Sequence, residues 1–262
     1  MELKTFQWGD PAAPPLVAIH GVAGNHAMYD KVVRERWGKH FRVISFDLRG
    51  HGESSWDPPW TNAAFVGDII DTIDALGLQQ PDWVGISFGG RLLLQVIAGH
   101  PDRVRRAAVL EPVIQATTEL AFRRANQELT AGVWDSFDAF LDTRVSIWGE
   151  LDRAELIAEY GGHFQQLPDG RVQRRTCQPA VVSIFSESCT LAARPEQISR
   201  PTTILYSPAF GLVTPEQRKA FSPYVEKWVP VPGQHHVLAS AYEETATAVE
   251  DFLLVGHPAA ES

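Results

Sequence analysis

Short apolar runs alternate along most of this chain with longer segments of helical period, and most runs end in a polar or small residue. Parallel strands need a crossover of a dozen or more residues, usually a helix, and strands buried on both faces read as continuous apolar runs. The rhythm therefore predicts a mostly parallel sheet flanked by helices. Strands are expected over 16–19, 43–46, 83–86, 107–110, 202–206 and 225–229. Helices are expected over 29–37, over 66–76 (Val66, Ile69, Ile70, Ile73 and Leu76 share a face), over 90–99, from Pro215 onward and over 243–254.

Between 113 and 198 the rhythm stops. This stretch is rich in helical pattern and aromatic residues and has no convincing buried strand. The expected organisation is one α/β domain formed by 1–112 and 199–262, interrupted by a helical cap over 113–198. An insertion between neighbouring strands of such a sheet lies over their carboxyl ends, where ligands bind, so it is a candidate lid.

Composition narrows the function. The 262 residues carry a net charge of −9, which repels phosphate backbones and argues against nucleic acid as a partner. The first ten residues are polar, unlike a signal peptide, and no apolar run approaches the roughly 20 residues of a membrane span. The two cysteines, Cys177 and Cys189, have no neighbours at metal-ligand spacing and read as reduced thiols of a cytoplasmic protein. No cofactor or metal is expected.

Gly85-Ile86-Ser87-Phe88-Gly89 has the form G-x-S-x-G, with a predicted strand before it and a predicted helix after it. That context matters more than the pattern. A serine on a sharp strand-to-helix turn exposes its hydroxyl, and glycines on either side relieve the crowding. Ser87 is the candidate nucleophile; otherwise it is only a helix N-cap.

Three further segments fall in order around this one: His20-Gly21-Val22-Ala23-Gly24, Asp47-Leu48-Arg49-Gly50-His51-Gly52-Glu53-Ser54, and Gly233-Gln234-His235-His236. With the serine turn they make the chain resemble the α/β-hydrolases over nearly its whole length. The resemblance implies an oxyanion hole from the backbone N–H groups of Val22 and Phe88. It implies a catalytic histidine in the last segment, where His235 is favoured over His236 by its distance from the final helix. His20 is read as a structural residue under the oxyanion loop, and His26, His40, His51, His100, His163 and His257 as surface or turn residues.

The sequence departs from the commonest family pattern at the triad's acid. That acid usually follows the seventh strand in the family's count, but here the loop reads Ser207-Pro208-Ala209-Phe210-Gly211-Leu212-Val213-Thr214, and Phe210 stands where a carboxylate is expected. Some relatives, the zearalenone lactonases among them, carry the acid after the sixth strand, where this chain has Glu111. Glu111 is thus the candidate third member; the alternative is a structural carboxylate that caps the lid or pairs with an arginine.

The resemblance implies a carboxylic ester hydrolase, an esterase or lactonase, and the aromatic residues available to line an apolar pocket point to an uncharged, fairly hydrophobic small-molecule substrate. A carbon–carbon bond hydrolase or a cofactor-free perhydrolase uses the same residues, and a slow-turnover receptor or pseudoenzyme remains open. A dehalogenase is disfavoured because that chemistry needs Asp where Ser87 stands. Trp134, Trp148, Phe210 and His236 are candidate pocket residues. Arg91 is expected to pair with Asp47 or Asp68; facing the pocket instead, it would suggest a carboxylate-bearing substrate.

Overall fold

The structure, a computed structural model, describes residues 1–130, 132–143, 157 and 161–257. Seven strands form one sheet: β1 (Thr5–Trp8), β2 (Pro15–Ile19), β3 (Arg42–Phe46), β4 (Asp82–Ile86), β5 (Ala107–Leu110), β9 (Thr202–Tyr206) and β10 (Lys227–Pro230), in the spatial order β1-β3-β2-β4-β5-β9-β10. All neighbours are parallel except β1, which pairs antiparallel with β3 at one edge. The polar first ten residues give no sign of this strand. Its side chains are mostly half-buried, so no continuous apolar run marks it. The last strand begins two residues later than the spacing predicts and ends one later, and the first helical region divides into a short α1 (Asp30–Glu35) with 3-10 turns on either side.

Alternate residues of the strands enter two cores. Val17, Ile19, Ile44, Phe46, Trp83 and Val109 pack with the apolar faces of α2 (Asn62–Ala75) and α3 (Phe88–Gly99). Leu16, Ala18, Val43, Val84, Ala108 and Leu205 pack on the other face with α1 and with the final helix α9 (Tyr242–Leu253). Burial on both faces is the reason these strands read as unbroken apolar runs.

The segment inserted between the adjacent strands β5 and β9 begins with α4 (Thr118–Thr130) and later contributes α6 (Gln178–Glu187). Between them lie α5 (Phe137–Asp142) and three very short strands, β6 (Val133–Trp134), β7 (Phe164–Gln166) and β8 (Val172–Arg174), which form an antiparallel ribbon in the order β6-β8-β7. Strands of two or three residues carry no readable alternation, so the ribbon is invisible in the sequence. Among the described residues no helix is long and apolar enough to cross a membrane.

Candidate active site

Strand register brings the chemistry together. Ile19 lies opposite Gly85, Ile86 opposite Leu110, and Leu110 opposite Leu205. The residues that follow these strands, His20, Ser87, Glu111 and the Ser207 loop, therefore gather at one end of the sheet.

Ser87 adopts φ 56°, ψ −114°, a conformation that disfavours any side chain. The surroundings hold it there: its N–H donates to Leu110 O (2.9 Å), and its carbonyl accepts from Arg91 N (3.0 Å) and Val113 N (3.2 Å). The flanking glycines are sterically required. A Cβ on Gly89 would lie 2.1 Å from Ile19 O, and one on Gly85 would lie 2.6 Å from Gly89 O.

His235 Nε2 lies 2.8 Å from Ser87 Oγ, so the structure brings His235, and not His236, to the serine. His236 instead opens α8 (Val237–Ser240) and lines the neighbouring cavity. Burial, with smaller contributions from His236 and Arg124, pushes His235 down to about 3. A neutral imidazole whose Nε2 accepts the serine proton carries its own proton on Nδ1.

The loop carrying Val22 is held by two imidazoles. His20 Nε2 accepts from Leu48 N (3.0 Å), which leaves Nδ1–H to donate to Gly21 O (2.7 Å). His51 Nε2 accepts from Ala23 N (3.1 Å), and its Nδ1 faces Arg49 O at 3.0 Å. Burial pushes His20 down to about 4 and His51 to about 3, so both are neutral and can accept. Val22 and Phe88 line the cavity beside Ser87, and neither N–H donates to another described group.

Glu111 is fully buried with φ +40°. Its Oε2 accepts from Ser207 N at 2.5 Å, and the Ser207 hydroxyl donates to Gly233 O at 2.6 Å, two residues before His235. Burial raises Glu111 to about 7 against the N–H groups of Ser207 and Leu212, which favour the charged form. No hydrogen bond joins Glu111 to His235: Oε1 and Nδ1 are both buried without a partner. The phenyl ring of Phe210 lies 4.8 Å from the imidazole of His235, tilted by 30°.

The chain matches the family model described as alpha/beta hydrolase fold over residues 14–160, more than half its length. It belongs to that family. Among the relatives of this α/β-hydrolase, Lipase LipV of Mycobacterium tuberculosis is 27% identical over 188 residues, 71% of each chain. The crystal structure of E-2-(acetamidomethylene)succinate hydrolase covers 95% of this chain and 94% of its own at TM-score 0.84 and 20% identity. The enol-lactonase from Burkholderia xenovorans LB400 covers 96% of both at TM-score 0.76 and 22% identity. At these identities the two structures show a shared fold.

The cavity of this α/β-hydrolase has two arms that meet at Ser87 and His235, of about 140 and about 130 Å³. Phe210 lines the second arm. Trp134 does not line either; it packs with Phe140 and Phe164 in the inserted segment's own aromatic core, at centroid distances of 5.0 and 6.0 Å. Trp148 lies outside the described residues.

Several expectations about charged residues need correcting. His51 and His163 are buried, and His163 lines the first arm. Arg91 pairs with neither Asp47 nor Asp68, which are taken by His26 and Arg49. It is fully buried and donates to the carbonyls of Val113, Ile114, Glu187 and Thr190 and to the Thr190 hydroxyl, tying α3 to both ends of the inserted segment. Arg124, Glu128 and Arg174 also line the cavity. The first two were legible in principle, because Leu120, Arg124 and Glu128 are four apart on one helix; Arg174, on a three-residue strand, was not.

Proposed function

We propose that this α/β-hydrolase cleaves a carboxylic ester or lactone through an acyl-enzyme on Ser87. The observation that carries the reading is the 2.8 Å approach of His235 Nε2 to the hydroxyl of a strained turn serine that lines the cavity, with two uncommitted backbone donors beside it. Relatives named lipase and enol-lactonase fit the same chemistry. The inserted segment, 113–198, serves as the lid over this centre. The two free thiols, Cys177 and Cys189, fit a cytoplasmic enzyme.

In the first half-reaction Ser87 Oγ attacks the carbonyl carbon while its proton passes to His235 Nε2. The carbonyl oxygen takes the negative charge and is met by the Val22 and Phe88 N–H groups, which need no reorientation as the charge develops. The imidazolium then protonates the departing alkoxide as the C–O bond breaks. In the second half a water gives a proton to Nε2 and attacks the acyl carbon; the acyl C–Oγ bond then breaks as the imidazolium returns the proton to Ser87 Oγ, releasing the carboxylic acid and restoring neutral His235.

Glu111 is the triad's acid in this reading. His235 Nδ1–H lacks an acceptor and Glu111 Oε1 is a buried acceptor without a donor, two unmet needs that pairing Glu111 with His235 during catalysis would satisfy together. An ionised Glu111 then offsets the imidazolium charge that burial opposes.

Intact-mass labelling with a small fluorophosphonate, alongside hydrolysis of phenyl butyrate, tests the reading. One adduct and turnover on the wild type, with neither on Ser87→Ala, are expected. A well-folded wild type that takes no adduct and cleaves no ester or lactone overturns it.

A further inference from the structure

The two cavity arms differ in charge. Helix α4 turns Leu120, Arg124 and Glu128 toward the cavity at intervals of four residues, which stacks them along one face. Glu128 is committed: it forms a buried ion pair with Arg174, whose guanidinium also lies 5.3 Å from the centre of the Trp134 ring. The charges on that arm cancel.

Arg124 has no such partner. Its hydrogen bond is to the side-chain oxygen of Gln127, at 3.3 Å, and no carboxylate of the described residues pairs with it. Its neighbours on the cavity wall are apolar, with Leu120, Ala121, Ile184, Phe185 and Phe210 among them. The chain as a whole carries nine more acidic than basic side chains, yet among the described residues none compensates this cavity cation. A half-buried guanidinium against apolar walls has lost hydration that an anion would replace, and its planar fork matches a carboxylate with two parallel hydrogen bonds.

We infer that Arg124 is a substrate-binding residue that holds a free carboxylate on the substrate, so that the preferred ester or lactone is a half-ester or half-lactone of a dicarboxylic acid. The inference rests on the hydrolase reading above and narrows it. The carboxylate lies in the apolar arm with Arg124, and the ester carbonyl reaches Ser87. The other half of the molecule occupies the arm walled by the Glu128–Arg174 pair. Arg124 also lies close enough to His235 to lower its basicity, and a bound carboxylate cancels that effect as the substrate seats.

The test compares two phenyl esters with one leaving group: phenyl butyrate and the monophenyl ester of glutaric acid. The wild type should favour the glutarate ester in kcat/KM by about 10- to 100-fold, the range for a hydrogen-bonded charge pair. Arg124→Gln should abolish that preference, chiefly through KM, and Arg124→Lys should restore part of it. A preference that Arg124→Gln leaves unchanged, or a wild type that favours the butyrate, overturns the inference. Calorimetric binding of glutarate to Ser87→Ala separates this result from failure of the esterase reading. Binding that weakens about tenfold in Ser87→Ala/Arg124→Gln supports the carboxylate site even if neither ester is cleaved. Equal or absent binding in both proteins counts against it.

Discussion

The ring of Phe210 rests 4.8 Å from the imidazole of His235, in the loop where most α/β-hydrolases carry the carboxylate that steadies this base. An apolar ring there removes a charge and adds packing. It leaves Glu111, at the end of the neighbouring strand β5, as the buried carboxylate tied to the histidine loop through Ser207 and Gly233.

If Glu111 orients His235, Glu111→Gln should lower kcat about 10²- to 10⁴-fold with the fold retained, since Gln can still accept from Ser207 N. Adding Phe210→Asp to that variant should recover part of the loss by returning a carboxylate to the usual loop. Kinetics on phenyl butyrate decide the matter; a Glu111→Gln protein within a few-fold of wild type removes Glu111 from the triad.

The pH profile carries a second signature. With Glu111 raised to about 7, its proton is held below that pH, and a protonated carboxyl cannot stabilise an imidazolium. Activity should therefore rise with pH through about 7, and Glu111→Gln should lack this limb. Stability runs the opposite way for this group. Its folded value exceeds the unfolded one, so its contribution is complete below about 4.5 and lost as pH rises through about 7. Chemical denaturation should show Glu111→Gln gaining relative to wild type between pH 5 and pH 8.

The buried histidines of the oxyanion loop act in the acid range. His20 and His51 are held at about 4 and about 3, below their unfolded value of 6.5, so their stabilising contribution is present above 6.5 and lost as pH falls toward 4 and 3. By those shifts the acid-side loss is about 3 kcal/mol for His20 and about 5 kcal/mol for His51. His51→Gln should blunt the acid-side loss of thermal stability and, by loosening Ala23, slow acylation more than it weakens binding. An unchanged acid transition would show that His51 does not control it.

Gly89→Ala tests the steric basis of the serine turn. The added methyl would meet main-chain oxygens of Ile19 and His20, at 2.1 and 2.6 Å, neither of which can move without displacing β2. A loss of about 3 kcal/mol or more is expected, within the range of overpacking combined with backbone strain. A denaturation midpoint equal to wild type would mean that the turn is not sterically closed.

Arg91→Met should cost about 2–5 kcal/mol, because it strands several buried carbonyls at once. The damage should appear at both junctions of the inserted segment, near Val113 and Thr190, as faster hydrogen exchange there than in the central strands. Uniform loosening of the whole protein would argue against a local clamp.

The six parallel strands, the turn serine with its two glycines and the histidine loop were legible in the amino-acid sequence, because each is a local requirement. Buried strands need continuous apolar residues, and a closed turn needs positions without a Cβ. The distance to the final helix favoured His235 over His236, but local pattern could not place either ring at Ser87, or say what Arg91 pairs with, because a side chain's partner depends on which strand ends meet. Register settled both: it set Ser87 beside His235 and turned Arg91 toward carbonyls at both ends of the inserted segment. The neutral pairing of Glu128 with Arg174 and the isolation of Arg124 belong to the same category. They join residues 46 positions apart and leave out one that is four away, a choice made by packing in three dimensions and not by spacing along the helix.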